Sequence, residues 1–158
     1  MIRSARPPDV PAVLSLIRAL ARYERLEHQV AGTEADLREH LFGAHPRAEV
    51  ALVDLDGGGG IAAFALFFHN YSTFLCKPGL YLEDLFVLPE HRRKGYGAAL
   101  LRHLAKIAVA RGCGRFEWSV LAWNEPAVAF YRSLGAEMMD EWRILRVTGE
   151  ALEKLAAK

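Results

Sequence analysis

The segment from Leu80 to Ala98 constrains this chain more than any other. An apolar run, Leu80-Tyr-Leu-Glu-Asp-Leu-Phe-Val87, passes through Leu88-Pro89 into the basic, glycine-punctuated stretch Arg92-Arg-Lys-Gly95-Tyr-Gly97. Beyond it, Gly97, Leu100, Leu101, Leu104, Ile107 and Ala108 recur at helical spacing. A strand that feeds a helix through such a turn is an anion site. Glycines remove Cβ atoms where a ligand must approach the backbone, and the first-turn N–H groups, at the positive end of the helix dipole, favour negative charge. Arg92, Arg93 and Lys94 add formal charge at the same spot.

That charge is local. The 20 Lys and Arg nearly cancel the 19 Asp and Glu, so no global field draws the chain onto nucleic acid or an anionic membrane. The 158 residues suit one domain, 1–158. Two cysteines, Cys76 and Cys113, are too few for a disulfide framework and lack metal-type spacing. No run approaches the ~18 apolar residues of a membrane span, and a soluble, cytoplasmic protein is expected.

Along the chain, Ile2 to Arg6 reads as a strand ended by Pro7-Pro8. Val10, Val13, Leu14, Ile17, Leu20 and Ala21 then predict a helix to about Leu26. Thr33-Glu-Ala-Asp36 is a capping-box variant opening a helix that Gly43 stops. Ala48–Leu55 and Ile61–Tyr71 read as strands of a hairpin around Asp56-Gly-Gly-Gly-Gly60, whose glycines lack the Gly-Lys-Ser/Thr of a phosphate loop. Arg115–Leu121 is a further strand, and Asn124-Glu125-Pro126 caps a helix running to Gly135. Met138–Val147 reads as one or two strands and Glu150–Ala157 as a terminal helix. The order indicates an α/β or α+β sheet with helices on both faces.

Arg92-x-x-Gly95-x-Gly97 after Val87-Leu88-Pro89 resembles the acetyl-CoA signature of the GNAT N-acetyltransferases. Asn124-Glu-Pro-Ala-Val-Ala-Phe130-Tyr131-Arg-Ser-Leu-Gly135-Ala136 resembles their second signature. Ala21-Arg-Tyr23-Glu24, Thr33-Glu-Ala-Asp-Leu37, Phe42-Gly-Ala-His-Pro46, Leu80-Tyr-Leu-Glu-Asp84 and Trp123-Asn-Glu-Pro126 are similar to the diamine (spermidine/spermine) and thialysine acetyltransferase branch. The chain departs from the diamine pattern at Ser72-Thr-Phe74 and in a shorter segment before Trp142. The resemblance implies the GNAT fold, with a central mixed, mostly antiparallel twisted sheet, and acetyl transfer to a small cationic amine by direct attack. It also implies a homodimer.

For the cofactor, the resemblance implies that the pantetheine arm of acetyl-CoA adds to the edge formed by Leu85, Phe86 and Val87. The pyrophosphate is expected on Arg93, Lys94, Gly95, Tyr96, Gly97 and Ala98, with Arg92, Asn124, Glu125, Pro126, Ala127 and Phe130 also on the cofactor side. The resemblance implies that Tyr131 is the proton donor to the leaving thiolate, a role its chemistry allows because a phenol with a pKa near ~10 can return a proton to a thiol near ~8.5; otherwise it is a core aromatic beside Phe130.

An alkyl ammonium must also lose a proton. Strand alternation groups Glu83 with Tyr81, Leu85 and Val87, and Asp84 with Leu82 and Phe86. Glu83 is the expected base, with Asp84 the other candidate. Tyr23 and Glu24 resemble the substrate-binding pair of the diamine branch, and Glu117, Trp118, Ser119 and Glu141 complete the predicted acceptor set.

His40 and His45 find no completing carboxylate or cysteine at useful spacing, so no metal is expected. A non-catalytic acyl-CoA-binding regulatory domain, or an enzyme for protein or peptide amines, are the alternative readings. Nucleic-acid binding is disfavoured, because the basic residues form one short turn.

Overall fold

A computed structural model describes residues 1–157 and divides into two compact units, Met1–Ser119 and one beginning at Val120. The first contains strand β1 (Ile2–Ser4), helix α1 (Val10–Tyr23), helix α2 (Glu34–Phe42), strands β2 (Glu49–Asp54), β3 (Ile61–Ser72) and β4 (Lys77–Val87), helix α3 (Tyr96–Ala110) and strand β5 (Phe116–Trp118). The strands form one sheet in the order β1-β2-β3-β4-β5. Every pairing is antiparallel except β4 with β5, which is the mixed, mostly antiparallel sheet the sequence implies.

Both faces are covered. Val13, Leu16 and Leu20 of α1 and Leu41 of α2 pack with Val50, Leu52, Phe64 and Phe86. The opposite face carries Ala51, Val53, Ala63 and Ala65, all buried, against which α3 packs with Leu100, Leu101, Leu104 and Ala108. Small residues under α3 let the helix lie close to the sheet and align its first turn with the end of β4. Arg3 ties this end together, donating to Asp9 at 2.7 and 2.9 Å and to Asp54 at 2.6 Å. The guanidinium holds the Asp9 carboxyl below the usual carboxylate range.

Local signals act as expected at several points. Thr33 accepts the Asp36 N–H at 3.2 Å while Asp36 accepts the Thr33 N–H at 3.0 Å, a reciprocal cap for α2. A 3-10 turn at Asp56–Gly58 joins β2 to β3. Helix α1 ends at Tyr23 rather than near Leu26, because Arg25 turns left-handed (φ 63°) and the Leu26 N–H returns to the Ala21 carbonyl at 2.8 Å.

The second unit holds α4 (Glu125–Ser133) and α5 (Gly149–Ala156). Asn124 caps α4, accepting the Ala127 N–H at 3.4 Å. The expected strands in Met138–Val147 do not form: the stretch is irregular, with Trp142, Ile144 and Leu145 exposed. Apolar residues mark strand potential, but a strand exists only where an edge accepts its backbone groups.

Phe64 lies on β3, paired with Phe86 of β4 and Leu52 of β2, with no exposed surface. Phe64→Ala is expected to lower unfolding free energy by about 3–5 kcal/mol in urea titration; a loss below about 1 kcal/mol would contradict this account of the core.

Candidate active site

The centre of the site is a register shift. On β3, Leu66 pairs with Asp84 but Phe67 pairs with Leu82, so Glu83 is an extra residue on β4 with no partner opposite. Such a bulge breaks the alternation assumed from sequence. Phe64 and Phe86 share the α1–α2 face, hence so do Leu66 and Asp84; past the bulge, Phe68 and Tyr81 lie on that face, while Leu82 turns to the α3 face with Phe67. Asp84 therefore shares a face with Tyr81 and Phe86, not with Leu82, and the expected grouping of Glu83 with Tyr81 is corrected. Glu83 is exposed and Asp84 is partly buried.

Helix α1 delivers the rest of the acceptor side. The Tyr23 ring lies 6.3 Å from that of Phe86, and Glu24 follows at the helix end, where burial raises its carboxyl pKa. Asp84 is pushed up to about 7, first by burial and then by the negative charges of Glu83 and Glu24. Three carboxylates thus converge on one end of the sheet face. A cation placed among them would relieve their repulsion, and Asp84 is poised to exchange a proton near neutrality.

On the cofactor side, β5 pairs β4 only from Leu80 to Leu82. The second edge of β4 is unpaired among the described residues from Glu83 to Val87. The Leu88 N–H bonds the Ala62 carbonyl at 3.0 Å, so backbone alternation turns the polar groups of Leu85 and Val87 to the open edge and those of Phe86 toward β3. Gly95 caps α3 in a left-handed conformation (φ 80°), and Arg93 is also left-handed (φ 64°). The first intrahelical bond runs from the Ala99 N–H to the Gly95 carbonyl at 2.9 Å, so the N–H groups of Tyr96, Gly97 and Ala98 have no acceptor within the helix. These donors, with Lys94 exposed beside them, fit a pyrophosphate.

Arg92 behaves differently from its neighbours. Its Nε donates to the Val87 carbonyl at 3.2 Å, and its guanidinium stacks 4.6 Å from the centre of the Tyr23 ring and 5.6 Å from that of Phe86. Sequence spacing marks Arg92 as a phosphate residue and carries no sign of this stacking, which depends on where α1 ends.

The other expected residues divide. Tyr81 Oη and Ser119 Oγ are 2.9 Å apart, which brings Ser119 to the residue that shares a face with Asp84. Glu117 accepts from Asn70 Nδ2 at 2.8 Å and is ion-paired with Arg115, so its carboxylate is already engaged. Trp118 stacks edge-on with Phe116 at 5.0 Å. In the second unit, Glu125 and Pro126 open α4, followed by Ala127, and the rings of Phe130 and Tyr131 are 5.3 Å apart; Glu141 is exposed in a turn. Among the described residues no group of His, Cys, Asp or Glu could hold a metal, and no helix is long and apolar enough to cross a membrane.

The raised Asp84 pKa has a consequence for folding. Between the unfolded value near ~3.9 and about 7, the unfolded chain binds fewer protons at this site than the folded one, so the term disfavours folding progressively as pH rises. Asp84→Asn is expected to melt higher than wild type at pH 8, with the gap shrinking toward pH 4; a gap independent of pH would show that Asp84 ionises normally.

Residues 15–136 match the Acetyltransferase (GNAT) family. L-ornithine N5-acetyltransferase NATA1 of Arabidopsis thaliana is 35% identical over 98% of this chain and 86% of its own length. Thialysine N-epsilon-acetyltransferase of Mus musculus is 34% identical over 99% of this chain and 97% of its own. Among solved structures, an integron cassette protein from the mobile metagenome of V. cholerae superposes with a TM-score of 0.82 at 29% identity, covering 100% of this chain and 98% of that one. With its cofactor turn, its open β4 edge and these full-length similarities, the chain belongs to the GNAT acetyltransferases, on the thialysine and diamine acetyltransferase branch.

Proposed function

We propose that residues 1–158 act as one domain that transfers the acetyl group of acetyl-CoA to a primary amine of a small cationic acceptor, a polyamine, a thialysine-like diamino acid or a related aminoalkyl compound. The observation that carries the acceptor class is the convergence of Glu24, Glu83 and Asp84 at the end of α1, with Asp84 near neutrality. A single cationic amine satisfies that cluster; a neutral acceptor leaves it repelling itself. The relatives named for L-ornithine and thialysine support the same class.

Binding begins at the backbone. The backbone N–H and carbonyl of Leu85 and the N–H of Val87, whose carbonyl accepts from Arg92, receive the pantetheine arm as an added strand, and the free N–H groups of Tyr96, Gly97 and Ala98 take the pyrophosphate. Asp84 takes a proton from the ammonium, directly or through Glu83 and water. The freed nitrogen attacks the thioester carbonyl, the N–C bond forms, the C–S bond breaks, and Tyr131 supplies the proton to the departing sulfur and recovers one from the acetylated nitrogen. Direct attack of this kind requires both substrates bound together and no acyl-enzyme. Asp84 replaces Glu83 as the preferred base because burial and neighbouring charge bring it to the working pH.

The reading includes a cytoplasmic homodimer. Both cysteines are free thiols, which suits a reducing compartment, and pairing of subunits follows from the diamine-branch resemblance.

Thiol release from acetyl-CoA with ornithine, lysine, thialysine, putrescine and spermidine tests this directly; turnover with none of them would overturn it. Asp84→Asn is expected to lower kcat by about 10²–10³, and the wild-type rate should fall as pH drops through about 7, where Asp84 takes up a proton and can no longer accept one. Tyr131→Phe should reduce kcat at least tenfold while the acetyl-CoA Kd stays within about threefold. An unchanged rate would remove Tyr131 from the chemistry.

A further inference from the structure

A cavity of about 440 Å³ opens where α2 and its loop to β2 pass over the sheet, walled by Leu41, Phe42, Arg47, Val50 and Phe68. It belongs to neither the cofactor turn nor the carboxylate cluster. Its position relative to that cluster follows from register. Phe68 pairs with Tyr81 and Leu66 with Asp84, so Phe68 and Asp84 lie on the same face. Phe68 is one same-face step along the strands and one strand across from Asp84, a diagonal of about 8 Å. An extended aliphatic diamino acid of ornithine or lysine length spans roughly 6–8 Å from its terminal nitrogen to its carboxyl carbon.

The charge of the cavity is the second observation. Glu49 also lines it, but its carboxylate is held by both Nη atoms of Arg111, one at 2.8 Å, which keeps its pKa below the usual range. Arg47 is a cation in the same wall, and its side chain has no hydrogen-bond or ion-pair partner among the described residues. Its backbone is fixed: the Arg47 N–H bonds the His40 carbonyl at 2.7 Å, at the last turn of α2. One sheet face therefore presents three carboxylates at one end and, starting at Phe68 about one short aliphatic chain away, a partly apolar cavity whose wall carries the exposed Arg47.

We infer that this cavity takes the carboxylate-bearing end of a diamino-acid acceptor, with Arg47 as the carboxylate's ligand, while the side-chain ammonium reaches Glu24, Glu83 and Asp84. The inference rests on the amine acetyltransferase reading and narrows it, because a diamine or polyamine has no group for Arg47. A guanidinium–carboxylate bond is strong enough to discriminate between an amino acid and its decarboxylated counterpart.

The test compares L-ornithine with putrescine and L-lysine with cadaverine, in wild type, Arg47→Gln and Arg47→Lys, each checked for an unchanged melting temperature. Wild type is expected to favour each amino acid over its diamine. Arg47→Gln should raise the KM for ornithine and lysine tenfold or more, with kcat and both diamines within about twofold, and Arg47→Lys should recover part of the loss. Equal effects on amino acids and diamines, no effect on either, or a wild-type preference for the diamines would each overturn the inference. If no amine were acetylated, the activity reading would fall instead. Calorimetric binding of L-ornithine to wild type and Arg47→Gln, with CoA present, would then decide the cavity: tenfold weaker binding in the variant upholds it, and equal binding or none overturns it.

Discussion

The antiparallel pairing of β3 with β4, broken once at Glu83, governs how the rest of the molecule is arranged. Before the break, Leu80 and Leu82 enter the α3 face; after it, Asp84 and Phe86 enter the face covered by α1 and α2. Without the extra residue, the strand would present one face along its whole length. Asp84 would then lie with Leu82 under α3, far from Tyr23 and Glu24. Bulges of this kind re-aim a side chain at the cost of local ladder bonds. Here the re-aimed side chain is the carboxylate that burial and its neighbours push up to about 7.

That arrangement sets stability against chemistry. Burying Asp84 beside two other carboxylates opposes folding at neutral pH, and no side-chain partner compensates it among the hydrogen bonds described. A deep two-faced core supplies the surplus, with Phe64, Leu52, Leu80, Leu82, Leu100 and Leu104 fully buried. Contrast the Arg111–Glu49 and Arg3–Asp9 pairs, where opposite charges satisfy one another and hold structure only. An unsatisfied cluster beside satisfied ones is the expected signature of a binding site.

Much of the framework was legible because its determinants are local. Thr33 and Asp36 sit within one turn, Asn124 caps the helix that it begins, and the Arg92-to-Gly97 turn carries its own glycine conformation. Other features escaped for physical reasons. The stretch Met138–Val147 reads as one or two strands, yet its backbone forms none. Residue type and spacing offered Glu117 to the substrate, but Asn70 and Arg115, brought alongside by β3 and β5, occupy it first. Arg92 follows the motif in sequence, and the contacts its guanidinium makes with the rings of Tyr23 and Phe86 come from a helix far away in the chain.

By itself the sequence determined the order of elements, the anion-binding turn and the family, since each is written in contiguous residues whose backbone preferences and spacing act without distant help. Tertiary structure alone decided which of the two adjacent carboxylates is buried and pushed up toward neutrality. Counting residues along β4 favoured Glu83. The face a side chain occupies depends on register accumulated from a partner strand, and its pKa depends on burial and on charges carried in by a distant helix. Both are sums over neighbours that the chain acquires only when folded.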